Sequence, residues 1–217
     1  MHRILLVDDH PLMRKGLAMT LEAEADFKIV AQADSAEDAL SIIETEDPVD
    51  LLIIDISLPG MSGLELVKHM EALHPEVRML VVSRHDETLY AERSIRAGAK
   101  GYVMKLEASG VIVEAARRVL QGGIYVSDEI NERLLMSMAT GNSLMRESPL
   151  EMLSDRELEV FELIGQGVGT RDIAERLHLA TKTVESYRAR IKEKLNLASA
   201  TELMQHAVQW VQSEDST

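Results

Sequence analysis

Short apolar runs alternate with longer stretches of helical period through the first half of the chain. The runs are Ile4-Leu5-Leu6-Val7, Phe27 to Ala31, Leu51-Leu52-Ile53-Ile54, Met79-Leu80-Val81-Val82 and Gly101-Tyr102-Val103-Met104. Uninterrupted apolar runs of this length suit strands buried on both faces. Between them, residues 12–25, 35–46, 63–73, 88–97 and 109–121 carry apolar positions at a spacing of three and four. Leu12, Leu17 and Leu21 share one face of the first, and Ser35 with Asp38 three positions on marks the start of the second. This alternation predicts a doubly wound α/β fold, a five-stranded parallel sheet covered on both faces with right-handed connections.

Gly122-Gly123 interrupts the pattern. A short strand-like piece, Ile124-Tyr125-Val126, and a helical stretch from Ser127 to about residue 138 follow, and residues 139–150 are small, polar and aperiodic, as expected of a linker. The remainder is helical throughout. Ser154 and Glu157 have the spacing of a capping box, Gly167 and Gly169 end that helix, Thr170 is expected to cap a second and Thr181 a third. Val184, Tyr187, Ile191 and Leu195 fall on one face of the third, and residues 200–212 form a fourth. Two short helices joined by a tight turn, the second of them basic, make a helix-turn-helix pattern. The expected division is residues 1–121 as the α/β domain, 122–150 as a linker with a short helix, and 151–217 as an all-α domain.

Composition narrows the chemistry. The 217 residues include no cysteine, which excludes disulfides, thiolate metal sites and cysteine nucleophiles and fits a reducing compartment. Only four apolar residues precede Asp8, too few for a signal peptide or membrane span, so the cytoplasm is the expected location. A net charge of −14 argues against nucleic acid on a whole-chain view, yet Lys182, Arg188, Arg190, Lys192 and Lys194 stand close together against only Glu185 and Glu193. A locally basic helix on an acidic chain still makes an electrostatic footprint.

Four of the apolar runs end in polar groups: Asp8 and Asp9, then Asp55, Ser83 and Lys105. In a parallel sheet these ends share one edge, so groups distant in sequence converge there. Three carboxylates suit Mg2+, with Asp55 as an ionised nucleophile toward a phosphoryl group, Lys105 as a point charge on phosphate oxygens and Ser83 as a hydrogen-bond donor to another. A solubilising role explains any one of these acids. It does not explain all five groups at alternate strand ends.

The first half resembles the receiver domain of two-component response regulators, a flavodoxin-like fold. The resemblance rests on Val7-Asp8-Asp9-His10, on Asp55 with Leu58-Pro59-Gly60-Met61-Ser62-Gly63, on Ser83, and on Gly98 through Lys105. It implies that Asp55 takes phosphate from a sensor histidine kinase. It also implies that Asp8, Asp9, Asp55 and the backbone carbonyl of Ser57 hold Mg2+, that Lys105 contacts the phosphate, and that Ser83 and Tyr102 form a switch pair in which the ring moves inward once the hydroxyl turns to the phosphate. Two positions depart from the pattern. Leu106 replaces a common proline, and Arg84 replaces a small residue, which is expected to narrow access to Asp55.

The stretches Leu153 to Val160, Ile173 to Leu177 and Lys182 to Leu195 resemble the LuxR-type DNA-binding domain. Receiver plus LuxR-type output is the arrangement of the NarL/FixJ response regulators. On the helical wheel Lys182, Glu185 and Ser186 are expected to reach bases. Thr170, Thr183, Arg188, Arg190 and Lys194 are expected at the DNA backbone. The resemblance further implies a homodimer through the last helix, with Leu203, Met204, Ala207, Val208 and Val211 as candidates; completing the core is the competing role for these. The expected function is thus a phosphorylation-activated DNA-binding transcription regulator, not an enzyme. The alternatives are a phosphorylation-independent regulator whose receiver serves protein interaction and dimerisation, and an aspartyl phosphatase. The latter lacks the second Asp two positions after the nucleophile, since that position is Ser57.

Overall fold

A computed structural model describes residues 1–45, 48–140 and 149–214. It contains two compact units, Met1–Leu135 and Met136–Thr217. The first alternates strands and helices in order: β1 (His2–Val7), α1 (Pro11–Glu22), β2 (Phe27–Ala33), α2 (Ala36–Thr45), β3 (Leu51–Ile54), α3 (Gly63–Leu73), β4 (Arg78–Ser83), α4 (Glu87–Ala97), β5 (Gly101–Met104), α5 (Ala108–Leu120) and α6 (Asp128–Thr140). All strand pairs are parallel, in the order β2-β1-β3-β4-β5.

The strands are apolar throughout because neither face meets water. Ile4, Leu6, Leu51, Ile53, Leu80 and Val82 pack in one core with Leu17 and Leu21 of α1 and Ile112, Ala115 and Val119 of α5. Leu5, Leu52, Ile54 and Val81, buried as deeply, alternate onto the opposite face. The register sets Val7 beside Ile54, Ile54 beside Val81 and Ser83 beside Met104. The residues that follow these strands therefore emerge along one edge.

The first unit runs past the boundary expected at residue 121. Tyr125 bridges Gly101; it accepts a hydrogen bond from Tyr102 N–H (2.8 Å) and donates to the Lys100 carbonyl (3.0 Å). The strand-like Ile124-Tyr125-Val126 thus covers the open edge of β5. Ser127 Oγ accepts from Ile130 N–H at the start of α6 and donates to Glu87 on α4 (2.7 Å). Gly122 to Leu135 consequently belongs with the α/β unit rather than with a linker. Of the expected linker, residues 141–148 lie outside the described residues.

The second unit opens with a short 3-10 turn (Pro149–Met152), then α7 (Asp155–Gly165), α8 (Thr170–Arg176), α9 (Thr181–Lys194) and α10 (Ala200–Glu214). Ser154 and Glu157 form the expected capping box. Thr170 and Thr181 are not caps. The caps are Gly169 and Ala180, both extended, and each threonine is the first helical residue. Helices α8 and α9 end at His178 (φ 51°) and Asn196 (φ 53°), left-handed residues without the glycine usual there. Gly165 permits the close approach of α7 to α10, since a Cβ there would lie 2.4 Å from the Ala207 carbonyl oxygen.

Candidate phosphorylation site and nucleic-acid interface

The edge formed by the strand ends carries the groups that the sequence singled out. Asp8 and Asp55 are each 3% exposed, and Lys105 Nζ stands 2.7 Å from an oxygen of both. Asp9 is partly exposed beside them. One ligand atom from each of Asp8, Asp9, His10 and Asp55 fits within 4.8 Å of the others. The three carboxylates among them are hard oxygen donors of the kind a small divalent cation takes. Burial, first of all, raises the pKa of Asp55, and repulsion from Asp8 adds to it; the charge and hydrogen bond of Lys105 oppose both without cancelling them. A divalent cation in this crevice would favour the ionised form.

Local structure fixes Asp55 from behind. Its N–H donates to the Val7 carbonyl (2.8 Å). After it the chain turns so that Leu58 N–H and Gly63 N–H both reach the Ile56 carbonyl (3.0 and 2.9 Å). Ser62 and Glu65 then cap α3 reciprocally. Gly63 has to lack a side chain, because a Cβ there would lie 1.9 Å from the Asp55 carbonyl oxygen.

Ser83 is fully buried and its Oγ accepts from His85 N–H (3.3 Å). Tyr102 is 1% exposed and its hydroxyl donates to the His85 carbonyl (2.7 Å). The Tyr102 ring is thus inside the receiver, with its hydroxyl held by the loop that follows β4. Arg84 is exposed. The residue that lies across the site is its neighbour His85, buried, stacked on Tyr90 (4.4 Å, 25°), with Nε2 2.7 Å from Ser57 Oγ. Sequence reading missed His85 because nothing in Ser-Arg-His-Asp says which side chain turns inward. Leu106 is 90% exposed, and no cis peptide occurs among the described residues, Lys105–Leu106 included.

On α9, Val184 and Ile191 are buried, and Tyr187 and Leu195 half-buried, on the expected inner face. Lys182, Glu185, Ser186 and Arg190 are exposed, and Thr170, Thr183 and Arg188 are half-buried. Ser186 Oγ donates to the Lys182 carbonyl one turn back (2.9 Å), which leaves its lone pairs for a partner. Lys194 differs from expectation. Its Nζ lies 2.5 Å from Glu157 Oε2, so it ties the end of α9 to the start of α7. Burial pushes the Glu157 carboxyl up, but Lys194 and the Ser154 N–H together hold it below the usual range. Lys194→Met is expected to destabilise this unit by about 1–2 kcal/mol, read as a lower urea midpoint. This is less than for a fully buried pair because the Lys194 side chain is 37% exposed. A folded pKa below the ordinary glutamate value of 4.5 makes this stabilisation complete above pH 4.5 and lost as pH falls through the folded value. The deficit of the variant should therefore vanish in acid; a deficit independent of pH would contradict the pairing. On α10, Leu203 and Ala207 are wholly buried and complete the core, so of the dimer candidates Met204, Val208 and Val211 keep exposed surface.

Residues 4–117 match the response regulator receiver domain, and residues 151–207 match the bacterial regulatory proteins of the luxR family. The chain belongs to the NarL/FixJ-type response regulators. This family is one of DNA-binding transcription regulators rather than enzymes. Curated relatives extend over nearly the whole chain. The transcriptional activator protein ExaE of Pseudomonas putida is 38% identical over 206 residues, 95% of either chain. The oxygen regulatory protein NreC of Staphylococcus epidermidis is 35% identical over 211 residues, 95% of this chain and 96% of the relative. Among solved structures, the Salmonella typhimurium RcsB response regulator superposes with a TM-score of 0.71 at 23% identity, covering 96% of this chain and 98% of that one. RcsB of Salmonella enterica serovar Typhimurium bound to a promoter with the phosphomimetic BeF3− gives 0.67 at 22% identity, covering 95% and 98%. At these identities the two structures speak for the fold. No described helix is long and apolar enough to cross a membrane.

Proposed function

We propose that Asp55 of this cytoplasmic protein accepts a phosphoryl group from the phosphohistidine of a sensor histidine kinase, and that this favours a dimeric form able to bind double-stranded DNA through α9. The observation that carries the reading is the placement of Asp55: buried at a strand end, 2.7 Å from Lys105, with Asp8 and Asp9 beside it. An oxygen of Asp55 attacks phosphorus, the P–N bond to the kinase imidazole breaks, and that nitrogen keeps the bonding pair. Mg2+, held by Asp8, Asp9, Asp55 and the Ser57 carbonyl, would offset charge on the transferring oxygens. Lys105 then stabilises the acyl phosphate by its charge. Ser83 Oγ turns from the His85 N–H to donate to a phosphate oxygen. Phosphorylation in this reading acts as a shift between two conformations of the receiver.

The test is DNA affinity of the full chain with and without acetyl phosphate and Mg2+, with acid-labile phosphate measured in parallel. Tighter binding that follows phosphate incorporation supports the reading. Incorporation without any change in affinity would favour a second one, a receiver that acts as an interaction and dimerisation module, for which Leu106 in place of the common proline and Arg84 in place of a small residue speak.

Within the DNA interface the proposed roles are separable. Lys182, Glu185 and Ser186, exposed in the first turns of α9, are placed to read bases; Thr170, Thr183, Arg188 and Arg190 are placed to hold phosphates. Lys194 drops out of the phosphate set because of Glu157. Arg190→Ala is expected to weaken binding to all sequences and to lower the salt slope by about 1. Lys182→Ala is expected to cost about 1–3 kcal/mol on the preferred operator and far less on other DNA. Equal losses on every sequence for both variants would refute the division.

A further inference from the structure

We propose that His10 positions Asp9 and Asp8 for the divalent cation from outside the ion's own ligand shell. This rests on the reading that Asp8, Asp9 and Asp55 hold that ion. His10 is the N-cap of α1, with an extended backbone (φ −92°, ψ 103°), and Pro11 follows it. A residue before proline is disfavoured in the helical region, so the His10 backbone is held in this form by the sequence itself. There its N–H donates to Asp8 Oδ1 (2.8 Å), and its ring Nδ1 lies 2.5 Å from Asp9 Oδ1 and 3.3 Å from Asp8 Oδ1.

The oxygens of Asp8 are therefore divided. Oδ2 belongs to Lys105 and Oδ1 to His10. Asp9 has the greater need of a partner. Its side chain is 37% exposed, and the His10 ring lies within hydrogen-bond distance of its Oδ1. With Oδ1 held by the imidazole, rotation of the carboxylate is restrained and Oδ2 is left for the ion.

The short Nδ1–Oδ1 distance argues for a place outside the ligand shell. Two adjacent donors on an octahedral Mg2+ at about 2.1 Å stand roughly 2.9 Å apart. At 2.5 Å the imidazole and the carboxylate are hydrogen-bonded to each other, not co-ligands of one small ion. Outer partners of this kind orient the ligands they touch, and their loss commonly costs about ten- to a hundredfold in metal affinity.

The test uses the full chain and Mn2+ in place of Mg2+, with free Mn2+ followed by electron paramagnetic resonance and no phosphodonor present. His10→Ala is expected to weaken Mn2+ binding by about tenfold. His10→Asn, whose amide nitrogen can stand near the place of Nδ1, is expected to recover most of the loss. Thermal midpoints without metal serve to show that both variants are folded. Equal affinity of wild type and His10→Ala overturns the proposal, as does equal weakening in both variants. Spin-echo spectra of bound Mn2+ with a directly bonded nitrogen in the wild type would overturn the outer placement. Asp9→Asn is the control on the underlying reading: if it binds Mn2+ as tightly as wild type, the ion site itself is misassigned, whatever His10 does.

Discussion

Replacement of Asp55 by Asn is expected to abolish acid-labile phosphate incorporation from acetyl phosphate and to remove any effect of the donor on DNA affinity. The amide has the shape of the carboxylate but lacks the anionic oxygen that attacks phosphorus. Retained incorporation would place the acceptor elsewhere. The same substitution is expected to stabilise the metal-free protein at neutral pH. Burial comes first in raising the Asp55 pKa above the ordinary aspartate value of 3.8, with repulsion from Asp8 behind it and Lys105 opposing. A carboxyl raised on folding binds more protons folded than unfolded, so its cost to stability is full above the folded pKa and shrinks as pH falls toward 3.8. Each unit of elevation corresponds to about 1.4 kcal/mol. The melting temperature of Asp55→Asn minus that of wild type should therefore be positive at pH 7 and decline in acid. A difference that is flat or negative across this range would contradict the raised pKa.

Gly63→Ala is expected to cost about 3 kcal/mol or more, seen as a fall in the urea midpoint. The added Cβ would sit 1.9 Å from the carbonyl oxygen of Asp55 and 2.8 Å from Ile56 Cα, and both obstacles are backbone. Either α3 must back away from β3 or the end of β3 must shift. The second course moves the nucleophile, and misplacement by about 1 Å is expected to slow phosphate incorporation roughly a hundredfold. Gly16→Ala is the control: it lies within α1 with nothing within 4 Å of a new Cβ. There the exchange should stabilise by about 0.5–1 kcal/mol. Wild-type midpoint and rate in Gly63→Ala would show that the loop accommodates a side chain.

Most of the fold was legible because burial on both faces leaves a plain trace. Four consecutive apolar residues at Ile4, Leu51 and Met79 read as central strands for the same reason that they pack as such. The capping boxes are equally local, since the partners stand three residues apart; Ser154 with Glu157 was visible, and Ser35 does accept from Asp38 N–H. Helix ends were harder. His178 and Asn196 take left-handed backbone without the glycine that would have announced it. The reach of the first unit to Leu135 was hidden too, because one bridge from Tyr125 to the edge of β5 depends on a partner 24 positions back, at Gly101.

The chain by itself determined the strand ends, the carboxylates and the lysine upon them, and a basic helix framed by Val184 and Ile191. Periodicity and residue type carry that information locally. Tertiary structure decided which polar side chains are spent. It gave Lys194 to Glu157, took Leu203 and Ala207 into the core, turned His85 inward over Ser57 and Arg84 out, and set the Tyr102 ring inside. Each of these is a competition among distant groups for burial and hydrogen bonds, and its outcome is fixed only when the elements come together.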